Sequence, residues 1–214
     1  MNRWLAPVVA LSTAGLIVAC SPRHENGADT SGSALPVPPR ENAASSSLPY
    51  AGAPKVPDPL PSSVLSGDPC ADALTHEQVV AAVGVDVPGK RGDLAPIGPG
   101  CTWFNRDTGG AVGVSYTINT HVGLSGVYAN TQPQSAVWKE LPPVQGFPAV
   151  AYAGNNGGAI PEDFCQASIG LADSFSVDVS LTLGSNKRHT EDACSLITQI
   201  ADMTVTTLKA KADS

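Results

Sequence analysis

Basic residues are scarce in this chain. Twelve Lys and Arg stand against 19 Asp and Glu in 214 residues, a formal net charge of −7. Residues 68–214 hold 15 of the acids and 8 of the bases, so the excess acid sits on the part expected to fold. Without a basic stripe the chain lacks the electrostatic footprint of a nucleic-acid binder, and it lacks a polybasic contact for anionic lipid surfaces. A long hydrophobic run is missing too. The uncharged apolar run near the N-terminus, Trp4 to Ala19, is short of the ~20 apolar residues that a spanning helix needs. No CxxC or HxxxH pair offers zinc-ligand spacing. The acidic pairs Glu162-Asp163 and Glu191-Asp192 lack the ligand spacing of a calcium loop and suit a solvated turn and a helix N-terminus. No cofactor or metal is expected.

What the short apolar run does carry is an address. Arg3 and the α-amino group form a positive start, the run follows, and small residues precede Cys20: the layout of a secretory signal. Ile17-Val18-Ala19-Cys20 also matches a bacterial lipobox, in which the cysteine thiolate takes up a diacylglyceryl group. Cleavage before Cys20 then frees its amine for a further acyl chain such as palmitate. Two or three chains give stable anchoring where one is marginal. An ordinary cleaved signal would leave Cys20 incidental, but the lipobox falls where the apolar run ends. The expectation is a signal peptide over residues 1–19 and a lipid on Cys20, holding the protein to the extracytoplasmic face of the cell membrane.

Residues 21–67 contain nine Pro and nine Ser, with few large apolar side chains. Such a composition buries too little apolar surface to offset ordering entropy, so residues 20–67 read as a lipidated, disordered tether. Residues 68–214 then read as one domain with a substantial core.

Within that domain, Thr75 and Gln78 form a capping box for a short helix that Gly84 ends. Cys101 to Phe104 begins a strand; Val112, Val114, Tyr116 and Ile118 alternate with Gly113, Ser115, Thr117 and Asn119. A short helix around Leu124 to Asn130 and strands near Val137 to Leu141 and Phe147 to Tyr152 follow. Cys165 to Leu171 and Phe175 to Leu183 form a hairpin, with Ser176, Asp178, Ser180 and Thr182 on a wet face. A last helix spans about Thr190 to Lys209, with Glu191 and Asp192 in its first turn. Cys194, Ile197, Ala201, Val205 and Leu208 make its buried stripe, and Leu196 and Met203 lie off that stripe. The fold class is therefore α+β: a mainly antiparallel sheet of about five to six strands with the C-terminal helix packed on one face.

Setting Cys20 aside leaves Cys70, Cys101, Cys165 and Cys194, an even number suited to an oxidising compartment. In an antiparallel hairpin the end of the second strand lies beside the start of the first. The last helix therefore starts near Cys165, with Cys194 in its first turn. This favours Cys165–Cys194, and leaves Cys70–Cys101 by elimination.

The order of Asp68-Pro69-Cys70, Cys101-Thr102-Trp103, Gly146-Phe147-Pro148-Ala149, a cysteine opening a strand and another in the last helix carries a family resemblance. From Asp68 to Leu208, with the lipobox and tether in front, the chain resembles actinobacterial, mycobacterial-type cell-envelope lipoproteins with a domain of unknown function. The resemblance implies location and disulfide pattern. It offers no activity and no catalytic residues to carry over.

No residue cluster makes a catalytic site. Gly123-Leu124-Ser125-Gly126-Val127 misses G-x-S-x-G at its fifth position. Asp72 and His76 read as a solvated pair, His121 and His189 as isolated side chains, and Trp103 and Trp138 as core. The reading that remains is a non-enzymatic binding or accessory lipoprotein of the envelope, engaging a protein partner or a small apolar ligand between sheet and helix. Its candidate surface is Gly113, Ser115 and Thr117, with Leu196 and Met203. The rival is an envelope hydrolase, which requires Ser125 or another hydroxyl within reach of His121, His76 or His189.

Overall fold

Alternation, capping and disulfide closure are enough to build most of the domain, as the computed structural model shows; it describes residues 47–154 and 162–213. Helix α1 (Pro69–Asp72) is capped by the Asp68 side chain, which accepts from Cys70 N. Helix α2 (His76–Val83) has the full Thr75/Gln78 capping box and closes at Gly84 in the left-handed region. Seven strands follow: β1 (Lys90–Arg91), β2 (Gly100–Phe104), β3 (Ala111–Thr117), β4 (Ser135–Val144), β5 (Phe147–Gly154), β6 (Phe164–Ala172) and β7 (Phe175–Thr182). Between β3 and β4 lie a helical turn, α3 (Gly123–Gly126), and a π-helical turn (Val127–Thr131). Helix α4 (Ala193–Ala212) ends the chain.

The strands form one antiparallel sheet in the order β1-β2-β3-β7-β6-β5-β4. The sheet has seven strands, not five or six. The strand missed is β1, whose two residues sit in a Gly/Pro-rich loop and are too few to leave a period. Helix α4 begins at Ala193 rather than Thr190, because Asp192 serves as its N-cap and accepts from Ser195 N at 2.6 Å.

On one face, Val112, Val114, Tyr116, Cys165, Ala167, Ile169, Val177 and Val179 pack against Ile197, Ala201, Val205 and Leu208 of α4 in the main core. Both expected disulfides are formed. Cys70–Cys101 ties α1 to β2, and Cys165–Cys194 ties β6 to the first turn of α4, each with Cα atoms 5.1 Å apart.

The other face is not wet throughout. Ser168 and Ser176 are fully buried there, beneath a second apolar cluster of Ala53, Leu124, Val127, Tyr128, Val150 and Tyr152 with Trp138 at its edge. The period of two located these residues correctly but could not see that α3 and the π-helical turn fold back over them.

The reading of residues 47–67 as tether is also corrected; residues 20–46 lie outside the described residues. A 3-10 turn (Ser62–Leu65) packs on α4, with Val64 and Leu65 each only 1% exposed. Upstream, Leu60 N donates to Leu171 O, Val56 N to Asp173 Oδ1 and Tyr50 N to Ser125 Oγ, each at 2.9 Å. Gly170 makes room for this strap: a Cβ there would stand 2.9 Å from Leu124 and 3.3 Å from Val56. A few isolated apolar residues suffice because prolines already restrict the unfolded strap, which lowers the entropy lost on docking.

Candidate ligand groove

Met203 and Leu196 lie off the buried stripe of α4, on the flank that turns toward α2. Together with Ile200 they form one wall of a groove of about 560 Å³. Ala81, Ala82 and Val83 of α2 form the facing wall, and Leu181 and Leu183 lie on the floor. This volume falls within the range of small-molecule sites, and the lining is apolar over most of its area.

The walls are fixed by long-range hydrogen bonds. Gln78 of α2 donates through Nε2 to Met203 O at 3.1 Å, and its Oε1 accepts from Thr207 Oγ1 at 2.9 Å. At its other end α2 is held by Asn105, whose Nδ2 donates to Val83 O at 2.8 Å. The loop after β7 is bonded to the β2–β3 turn through Ser185 N and Thr108 O, 2.8 Å apart. Thr108, Gly184, Asn186 and Lys187 therefore form a polar end to a trough whose other walls are mainly apolar, with Thr182, Thr198 and Gln199 also lining it. Asp202 also reaches its rim, where its Oδ1 accepts from Gln145 Nε2 at 3.0 Å.

The remaining candidate surface is elsewhere. Gly113, Ser115 and Thr117 belong to the sheet face opposite α4, so the five residues do not make one surface. Gly113 is small for a packing reason, since a Cβ there would lie 2.5 Å from Ser180 Oγ. Thr117 is buried and donates to Asp178 Oδ2. Asp178 stands opposite Ser115 and Ser168 on its two neighbouring strands. Although the residue keeps some exposed surface, its Oδ1 is buried and unpartnered. Burial holds its carboxyl above the ordinary carboxylate range, and hydrogen bonds from Ser168 and Thr117 only partly oppose that rise. Tyr152, whose hydroxyl lies 3.1 Å from Ser168 Oγ, has its phenol pushed up by burial, the nearby Asp178 charge adding to the rise.

The residues required by the hydrolase reading are not brought together. Ser125 is 1% exposed, and its Oγ accepts from Tyr50 N. His76 Nδ1 meets Asp86 at 3.0 Å, not Asp72, which bonds Lys211 Nζ at 2.7 Å instead. His189 faces Glu162 at 3.5 Å. No described histidine hydrogen-bonds a described serine, threonine or cysteine side chain. Trp103 is core; Trp138 lies edge-on to Tyr128 and stacks on Tyr152 at the edge of the second cluster. Among the described residues there is no cluster of metal-ligating side chains, and no helix is long and apolar enough to cross a membrane. Cys20 lies outside the described residues.

Leu196 and Met203 were visible in the sequence as apolar residues off the buried stripe. Their partners were not, because Ala82 and Leu183 come from elements about a hundred residues away in each other's sequence context and only the fold joins them. Lys187 left no pattern at all in its polar loop.

The sequence matches a family described as "Protein of unknown function (DUF3558)" over residues 15–207. No curated protein and no solved structure matches the chain.

Proposed function

The chain belongs to this family of unknown function, DUF3558, and from that premise we propose that it is a lipid-anchored, non-enzymatic binding protein of the cell envelope. In this reading residues 1–19 are a signal peptide, Cys20 carries the acyl chains, and the folded domain works on the extracytoplasmic side of the membrane. An actinobacterial, mycobacterial-type lipoprotein is the setting that the lipobox, tether and four-cysteine order support.

The observation that carries the binding reading is the groove between α2 and α4, about 560 Å³ with walls of Ala82, Val83, Leu196, Ile200 and Met203. One hydrogen bond donated by Gln78 and one that it accepts brace its walls, so the trough is set before any ligand arrives. Preorganised apolar walls favour an apolar ligand, since water leaves them at little conformational cost. A protein partner is the other occupant considered; the exposed Phe104 on the open part of the opposite face supports it, with 48% of its surface accessible.

The test is saturable binding of an environment-sensitive apolar dye to the mature chain, residues 20–214, with Cys20→Ser removing the anchor lipid. One site is expected, and Met203→Trp, which fills the groove, should remove most of the signal. Absence of saturable binding, or equal binding by the filled variant, would overturn the assignment. Metabolic labelling with a fatty acid tests the anchor separately: label on the wild type and none on Cys20→Ser is expected.

A further inference from the structure

We infer that the ligand of this groove is a single-chain amphiphile with an acidic head group, and that Lys187 receives that head. The inference rests on the groove being a binding site, as proposed above.

The polar groups of the trough are placed unevenly. Among the described residues Lys187 is the single cation lining the trough, and it sits with Asn186 and Thr108 at the loop end. It is half-buried, and no carboxylate lies within ion-pair distance of it among the described residues. Three other cations of the domain are paired, Arg91 with Asp68 and Asp93, Arg188 with Asp163, and Lys211 with Asp72, whereas Lys90, Arg106, Lys139 and Lys209, which like Lys187 have no ion pair among the described residues, do not line the groove. The acid at the rim, Asp202, is taken up by Gln145, which donates to both its Oδ1 and its carbonyl and to Thr206 Oγ1.

Away from that end the lining is mainly apolar, with Thr182, Thr198 and Gln199 interspersed and Asp202 at the rim. Leu196, Ile200 and Met203 follow one another along α4 at helical spacing, opposite Ala82 and Val83. A site of about 560 Å³ has room for a chain of more than ten methylenes, taking each at roughly the 30 Å³ of a liquid water. The ammonium of a half-buried lysine beside such a trough attracts a carboxylate or phosphate through charge-assisted hydrogen bonds. Two dodecyl chains, at about 720 Å³ on the same measure, would exceed the volume. Carboxylate and phosphate heads share this chemistry, and the experiment separates them.

The test measures binding of laurate, dodecyl phosphate and dodecanol to the mature Cys20→Ser chain, to Lys187→Gln, to Lys187→Arg and to Met203→Trp. Circular dichroism and thermal unfolding confirm that each variant folds. Laurate or dodecyl phosphate should bind at least tenfold tighter than dodecanol, and the tighter of the two identifies the head. Lys187→Gln should remove that advantage and leave dodecanol within about twofold, Lys187→Arg should restore most of it, and Met203→Trp should weaken all three. Equal affinity for charged and neutral chains, or an advantage unchanged in Lys187→Gln, would overturn the head-group assignment while leaving the groove as a site. Failure of all three ligands to bind the parent chain would overturn the groove reading itself.

Discussion

Gln78 and Met203 lie 125 residues apart and are joined by a hydrogen bond from Gln78 Nε2 to the Met203 carbonyl, 3.1 Å long. The same side chain accepts from Thr75 N at 2.8 Å, completing the cap of α2. One glutamine therefore both starts a helix and fixes its distance from α4. Gln78→Ala should cost about 1–2 kcal/mol in urea unfolding, combining a lost cap contact with a lost interhelical bond. Gln78→Glu keeps the cap acceptor but removes the donor to Met203, so it should loosen the groove more than it destabilises α2. Ligand affinity and stability will then separate between the two variants.

The disulfides are expected to differ in their effect on the groove. Removing either by paired Cys→Ser replacement should cost about 2–5 kcal/mol. Loss of Cys165–Cys194 frees the first turn of α4, close to Leu196, and should weaken ligand binding as well. Loss of Cys70–Cys101 frees α1 from β2, further from the ligand walls, and should act mainly on stability. Thermal unfolding and ligand titration on both double variants check this.

The strap gives a sharp truncation boundary. A chain starting at Ser47 keeps Val56, Val64 and Leu65 buried and should unfold at the same temperature as the mature chain. A chain starting at Asp68 loses all three. At ~1.5–3 kcal/mol for each fully buried aliphatic side chain, less the entropy of ordering the strap, the cost should be several kcal/mol.

Asp178 sets a pH dependence of known sign. Its folded-state carboxyl holds the proton more tightly than the ordinary value of 3.8, because burial disfavours the charge. The native state therefore binds more protons than the unfolded chain as pH rises above 3.8, and stability falls through the folded-state pKa before levelling. Asp178→Asn removes that loss. It should be more stable than wild type at pH 7, with the difference shrinking as the pH approaches 3.8 and below. A denaturation series across pH measures the gap.

Much of this architecture is written locally. The capping box at Thr75, the alternation in β3, β6 and β7, and the buried stripe of α4 each depend on neighbours within a few positions, and the hairpin geometry carried the pairing of Cys165 with Cys194. The parts not legible are those in which distant segments meet. Val64 and Leu65 look isolated in a Pro/Ser-rich stretch until α4 supplies their pocket. Ser176 looks solvent-facing until α3 and the π-helical turn cover it. Leu196 and Met203 stand out as apolar residues off the stripe, while Gly113, Ser115 and Thr117 lie on the other side of the sheet; alternation separates the two faces but does not tell which segments each one meets.

The most direct measurement uses Met203, the only methionine left once residues 1–19 are removed. With methionine methyls labelled with carbon-13 in the mature chain, a titration with laurate should move the Met203 resonance saturably, together with the amides of Val83 and Leu183. A Met203 resonance that stays fixed while the amides of Gly113 and Ser115 move, or while nothing moves, would contradict a ligand site between α2 and α4.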